Sequence, residues 1–143
     1  MRIVLLFLVI LIGLMGYVRL APTRLDARHK AAVPTEVGDL QSTGGFQAAR
    51  KIIAPTVDVL QAVEQRALAT LRTRVIAGSV EDGTITFETR SALWGFPDYT
   101  TASVQGDLLV IAGHLRFGRS DMGVNKTRIL GWITTLAPLT EPL

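Results

Sequence analysis

The sequence predicts an α+β fold: an N-terminal transmembrane helix, then a small antiparallel sheet with two helices packed on one face, in the order β-α-β-β-β-β-α. Three observations predict it. Residues 3–18, IVLLFLVILIGLMGYV, are 16 apolar or glycine residues in a row without a charge. Two later segments carry apolar residues at three- and four-residue spacing, the period of an amphipathic helix. Between them, short apolar runs are joined by Asp82-Gly83 and by Gln105-Gly106-Asp107, turns tight enough to make the flanking strands antiparallel.

The apolar run spans about 24 Å as a helix, and about 28 Å once Leu20 and Ala21 extend it, close to the thickness of a bilayer core. Arg19 interrupts the run, but its long stem can snorkel to the headgroups. A cleaved signal peptide competes with this reading, because Arg2 and the apolar centre suit one. The exit, YVRLAPT, does not: a cut after Ala21 would place Arg19 where a small residue belongs, with Pro22 just beyond. A buried core helix is the third alternative. The uncleaved anchor is the expectation, and Gly13 and Gly16 would let another transmembrane helix approach it closely. Orientation rests on two rules that conflict. Arg19, Arg24, Arg28 and Lys30 after the span favour a cytoplasmic domain, whereas a short head before a long apolar run enters with its N-terminus inside. The second rule is followed here, which puts the domain on the outer face.

Residues 22–46 read as a tether, with Pro22, Pro34, Gly38, Gly44 and Gly45 and no steady period. Within it, RLDARHKAA (24–32) is either a short helix lying at the membrane surface or an irregular linker. AARKIIA (48–54) reads as the first strand. Residues 55–71 then read as a helix begun by Pro55, with Val57, Leu60, Val63, Ala67 and Leu71 on one face and Asp58 in the first turn. Residues 74–90 form a hairpin about Asp82-Gly83, in whose second strand Ile85 and Phe87 alternate with Thr86 and Glu88 as in a half-buried strand. Residues 99–104 and 108–117 are two further strands. Residues 125–136 close the domain as a helix with Ile129, Ile133 and Leu136 on one face, Val124 and Trp132 near it, and Gly131 weakening it by roughly 1 kcal/mol. The expected organisation is an anchor at 1–21, a tether at 22–46, an α+β domain at 47–137 and a tail at 138–143.

Composition narrows the chemistry. Of 143 residues 48% are hydrophobic, and the net charge is only +3. There is no cysteine, so neither a disulfide nor a thiolate can form, and without clustered histidines a zinc site is not expected. Neither a nucleotide-binding glycine loop nor a nucleic-acid motif occurs. Near a membrane, scattered Lys and Arg meet anionic headgroups in preference to nucleic acid.

TRSALWGFPDYTT (89–101) followed by LRFGRSDMGVNKTRI (115–129) resembles the bacterial and plastid family called domain of unknown function 1499. The residues that carry the resemblance are Gly118, Ser120, Asp121, Gly123, Val124, Asn125 and Arg128, with Met122 where the family often has leucine. The resemblance covers about residues 46–136. It implies the fold and leaves the chemistry open, because no settled activity comes with it.

Two candidate sites follow. The loop with Arg116, Arg119, Ser120, Asp121, Asn125 and Arg128 has a structural reading, in which Ser120 or Asp121 caps the last helix and the glycines supply unusual backbone angles. Its functional reading is an anion site, for a phosphate or a lipid headgroup, at a helix N-terminus flanked by arginines; Asp121 argues against this unless it is paired. Trp94, Phe96 and Tyr99 around Gly95 and Pro97 are either a packed corner or an exposed lip that meets the membrane or a partner. Pro97 suits an edge or a bulge there. Catalytic candidates are weak. His114 is one of two histidines, and a Ser120-His114-Asp121 set lacks a nucleophile elbow. The expectation is therefore a non-enzymatic accessory domain on the bacterial inner membrane, on its periplasmic side. No catalytic residue, metal or cofactor is expected. Its partner is the lipid bilayer or an integral-membrane protein complex met through the anchor, and nucleic acid is not a partner. The alternative is a helix-grip-like domain holding a lipid or small apolar ligand between sheet and last helix. A hydrolase using Asp98 or Asp121 is a third option.

Overall fold

The computed structural model describes residues 1–33 and 36–143. Pro34, one of the breakers in the expected tether, lies outside the described residues.

The apolar run forms α1 (Arg2–Leu20), with nearly every side chain exposed. It is the one helix among the described residues long and apolar enough to cross a membrane, a test that a signal sequence would also pass. After one helical turn, α2 (Leu25–Arg28), the chain builds β1 (Gly38–Ser42), β2 (Gly45–Lys51), α3 (Thr56–Leu68), β3 (Thr73–Ser79), β4 (Thr84–Arg90), β5 (Pro97–Gln105), β6 (Leu108–Leu115) and α4 (Val124–Thr135). The six strands form one antiparallel sheet in the order β1-β2-β6-β5-β4-β3. The α+β architecture with an apolar N-terminal helix is thus present, with one strand more than expected. β1 comes from the segment read as tether: its Gly38-Asp39-Leu40-Gln41-Ser42 has no apolar alternation, and it holds by pairing with β2 as an edge.

α3 and α4 lie on the same face of the sheet. Between them and the strands sit Phe46, Ala48, Ile85, Phe87, Ala102, Leu109 and Ile111 from the sheet, Val59, Leu60, Val63 and Ala67 from α3, and Ile129, Trp132 and Leu136 from α4. Removing each large aliphatic or aromatic side chain from water contributes roughly 1.5–3 kcal/mol. Phe87 and Trp132 meet edge to face with centroids 5.7 Å apart, and the Trp132 indole N–H donates to Thr70 Oγ1 at 3.0 Å.

Two details of the helical faces differ from expectation. The buried stripe of α3 runs through Val59 and Leu60, while Val57 and Leu71 are exposed. Leu71 leaves the stripe because α3 stops at Leu68 and Arg72 turns the chain with φ 59°. On α4, Trp132 takes the central place expected of Ile133, and Val124 is exposed. Pro97 opens a central strand instead of marking an edge, which a proline can do at the first position without breaking the ladder.

The second face of the sheet is covered by residues 21–33, which lie along β5 as a strap. The Thr23 hydroxyl pairs with the Tyr99 hydroxyl, Thr101 donates to the Arg28 carbonyl, and Gln105 donates to the Ala32 carbonyl. His29 Nδ1 is 2.9 Å from Thr86 Oγ1, and the Arg28 guanidinium stands 5.3 Å over the Tyr99 ring. Consequently Thr86 and Thr101, polar residues of the alternating strands, are as buried as their apolar neighbours, and on the same side Glu88 is buried beneath Arg74 and Arg90. A half-buried β4 was the expectation; the strap over Thr86 and the arginines over Glu88 bury its second side as well.

Candidate functional site

The strand directions place four connections at one end of the sheet: the hairpin after β1, the turn from α3 into β3, the loop from β4 to β5, and the loop from β6 into α4. The last turn of α1 joins the domain at that same end. Val18 is buried, the Arg19 side chain packs over Gly95, and Arg116 donates to the Ala21 and Pro22 carbonyls at 3.0 and 2.8 Å.

The glycine-rich loop splits between three tasks. Asp121 accepts the amide of Gly123 at 3.0 Å and that of Asn125 at 2.9 Å, so it satisfies the start of α4 from two residues before the formal cap, Gly123 at φ 81°. Burial opposes the Asp121 charge, but these amides outweigh it and hold the carboxyl below its usual range. Asn125 is fully buried. Its Oδ1 accepts from Arg128 Nη1 at 2.9 Å, and Arg128 Nη2 reaches Asp98 at 3.2 Å. Asp98, Asn125 and Arg128 therefore latch α4 to the start of β5. Burial raises the Asp98 carboxyl above its usual range, against the pull of Arg128. Arg116 ties down the strap, as above. Arg119 and Ser120 remain exposed at the loop surface.

The aromatic candidates divide as well. Trp94 stacks on Phe96 with centroids 6.4 Å apart, and Phe96 leans on Phe117. Phe96 is exposed, as are Leu71, Leu93 and Met122 on the neighbouring loops. Tyr99 does not belong to a lip. It is completely buried under the strap, its hydroxyl bonded to Thr23 and within 3.3 Å of Arg116. Its place in the alternation aimed it at the sheet's second face, away from the loop.

His114 also faces the strap, 6.0 Å from Tyr99, whereas Asp121 faces α4, so these two and Ser120 do not assemble. Burial, with Arg28 adding to it, holds the His114 imidazole below its usual range. Among the described residues no three acidic, histidine or cysteine side chains converge as a metal site.

What the sequence did not single out is an arginine-lined cleft of ≈ 650 Å³ where α1 meets β3 and β4, walled by Arg19, Arg72, Arg74, Glu88, Arg90 and Gly95. A second cleft of ≈ 640 Å³ adjoins it across Arg72 and Arg90 and continues past Arg66 and Arg128 between α3 and α4. Glu88 is 1% exposed and braces the first cleft: Arg74 Nε and Arg90 Nε donate to its Oε1 at 3.0 and 2.9 Å, and Arg90 Nη2 donates to Oε2 at 3.2 Å. Arg90 Nη1 closes onto the Gly95 carbonyl. Arg72 Nε donates to the Arg90 carbonyl, and the Arg90 amide returns a bond to the Arg72 carbonyl at 3.0 Å. Those two bonds hold Arg72 in a left-handed conformation that costs a non-glycine residue about 1–2 kcal/mol. Arg72 and Met122 are the two non-glycine residues with positive φ among the described residues, and both border these clefts. The sequence signal was thin: the arginines lie at positions 19, 72, 74 and 90, and only sheet pairing and the return of α1 bring them together.

Comparison with known proteins gives a family and little beyond it. Residues 20–136 match the family described as "Protein of unknown function (DUF1499)", so the match takes in the strap as well as the sheet and helices. No curated protein matches the chain. A solved DUF4468 family protein from Bacteroides ovatus ATCC 8483 is similar at 13% identity over 80% of this chain and 90% of its own, with a TM-score of 0.36, too loose a likeness to bear on function.

Proposed function

This chain belongs to the DUF1499 family, which carries no assigned function, so its role has to come from its own residues, and we propose that it is a membrane-anchored, non-enzymatic domain that binds a membrane component at the end where α1 joins the sheet. The observation that carries this reading is the meeting, at that one end, of the arginine cleft, the exposed apolar tips Leu71, Leu93, Phe96 and Met122, and the last turn of α1. Apolar tips beside arginines suit the boundary between acyl chains and headgroups.

Retention of α1 is supported by its contacts. Val18 and Arg19 pack into the domain, and Arg116 grips the carbonyls that follow, so the last turn of the apolar helix is part of the folded unit. A non-enzymatic role is supported by what the carboxylates do: Asp121 caps a helix, and Asp98 is occupied by Arg128. The alternative, an apolar ligand held between the sheet and α4, draws less support, because Ile129, Trp132 and Leu136 occupy that space with at most 1% exposure.

Trp94 provides the test, since the other of the two tryptophans, Trp132, is buried in the core. The full-length protein is reconstituted in bilayers carrying lipids brominated near the headgroup. Quenching of the Trp94 signal, lost in Trp94→Phe, is the expected result. Quenching by aqueous iodide with no effect of the brominated lipids would overturn the reading, as would a mature chain whose mass lacks residues 1–21.

A further inference from the structure

We infer that the cleft between Arg19, Arg72, Arg74 and Arg90 binds a phosphate ester, of the kind an anionic phospholipid headgroup presents. The inference rests on the anchored-domain reading and names its ligand class. Four arginines against one carboxylate, Glu88, leave three uncompensated positive charges around an open space of ≈ 650 Å³. Arg19, Arg72 and Arg74 are open to solvent, so their charges are accessible to an anion from outside, and guanidinium is the side chain whose planar fork matches phosphate oxygens two at a time.

The hydrogen-bond inventory says which donors are available. Each guanidinium has five N–H groups. Arg90 spends donors on both Glu88 oxygens and on the Gly95 carbonyl, and Arg74 spends its Nε and one Nη on Glu88. Among the described residues Arg72 uses only Nε, on the Arg90 carbonyl, and neither of its Nη groups has a partner there. Arg19 makes neither a side-chain hydrogen bond nor a salt bridge among the described residues; it lies against Gly95 with its guanidinium at the cleft wall. Glu88 is thus a brace that fixes two arginines, while Arg72 and Arg19 are the free arms.

Two further observations point the same way. Arg72 occupies a left-handed turn position where glycine or asparagine would fit without strain, and it is clamped there by reciprocal bonds with Arg90. Arg19 lies in the last turn of a helix of 19 residues, about 28 Å long, so a bilayer-spanning α1 sets the cleft at headgroup depth. A phosphate diester anchored by its acyl chains alongside α1 would reach the cleft without leaving the membrane.

The test uses full-length protein in a neutral detergent, with bound ligand counted by native mass spectrometry. One arm supplies phosphatidic acid, phosphatidylglycerol or phosphatidylcholine in mixed micelles; a second supplies inorganic phosphate or glycerol 3-phosphate in solution. Anionic lipid is expected to be retained over phosphatidylcholine. Arg72→Gly and Arg19→Gln should each weaken that retention about fivefold or more. Arg72→Gly is the cleaner variant, because glycine fits the left-handed backbone and the fold is expected to keep its melting temperature. Lys30→Gln, which makes the same change of charge on the exposed strap, should leave retention unchanged. Arg72-dependent binding in the soluble arm alone would support the phosphate site and assign it a soluble ester. Retention unaltered in both arginine variants, or weakened equally by Lys30→Gln, would overturn the inference. If Trp94 is still quenched by brominated lipid in that case, only the cleft assignment falls; if it is not, the anchored reading falls with it.

Discussion

Replacing Asp121 by alanine separates a structural role of the Ser-Asp-x-Gly-Val-Asn loop from a ligand-binding one. The Asp121 carboxylate takes the Gly123 and Asn125 amides at 3.0 and 2.9 Å, and among the described residues no other side chain bonds to these amides. Losing such a cap costs about 0.5–2 kcal/mol. Losing a negative charge at a helix N-terminus costs about 0.3–1 kcal/mol more. The middle of the combined range is about 2 kcal/mol. A domain of this size shifts its melting temperature by roughly 4–8 °C per kcal/mol, so Asp121→Ala should melt roughly 8–16 °C lower. Asp121→Asn keeps one acceptor without the charge and should fall by about half as much. The assay is thermal unfolding of the full chain in detergent, followed by near-ultraviolet dichroism, to which the buried Trp132 contributes. If Asp121→Ala melts with the wild type, the capping argument is wrong. If it keeps its melting temperature but loses anionic lipid, the loop is a ligand site and the arginine cleft has been misassigned.

Other outcomes follow from single contacts. A Cβ added at Gly113 would lie 2.8 Å from Asn125 Oδ1 and 3.0 Å from Ile129 Cδ1, so Gly113→Ala should cost about 1–3 kcal/mol in urea denaturation, and a neutral effect would mean the α4–β6 contact is looser than described. His114 has its folded pKa below the unfolded value, so the folded state binds its proton less readily. The stability involved is whole above the ordinary histidine range and is lost as pH falls below about 6.5 through the folded pKa. Urea midpoints at neutral pH and at about pH 5 should show this slope, and His114→Gln should reduce it; an unchanged slope in the variant would assign the effect elsewhere. Arg116→Ala removes the bonds to the Ala21 and Pro22 carbonyls and to the Tyr99 hydroxyl, so trypsin should cut after Arg24 and Lys30 sooner than in the wild type. Equal cutting would show that Thr23, His29 and Gln105 hold the strap unaided.

How much was legible in the residues depends on the range over which each signal acts. Local patterns succeeded. The uncharged run made α1, Asp82-Gly83 made a hairpin with Gly83 at φ 70°, and Ile85 and Phe87 point into the core as their alternation required. Asp121 was legible as a cap because capping is decided within four residues. β1 was missed because an edge strand needs no apolar period of its own when a neighbour supplies the ladder. Leu71 was misplaced because its burial depended on whether α3 ran three residues further, and Arg72 stops it.

By itself, then, the sequence determined the apolar helix, the antiparallel pairing, the two amphipathic helices and the capped loop, all set by residues a few positions apart whose backbone and side-chain preferences agree. The tertiary structure alone decided that residues 21–33 cover the second face over Thr86, Tyr99 and Thr101. It also decided that Arg19, Arg72, Arg74 and Arg90 face one another. Those arrangements depend on how strands far apart in the chain pair and where α1 returns, and charges scattered over some seventy positions carry no periodic signal that would announce their meeting.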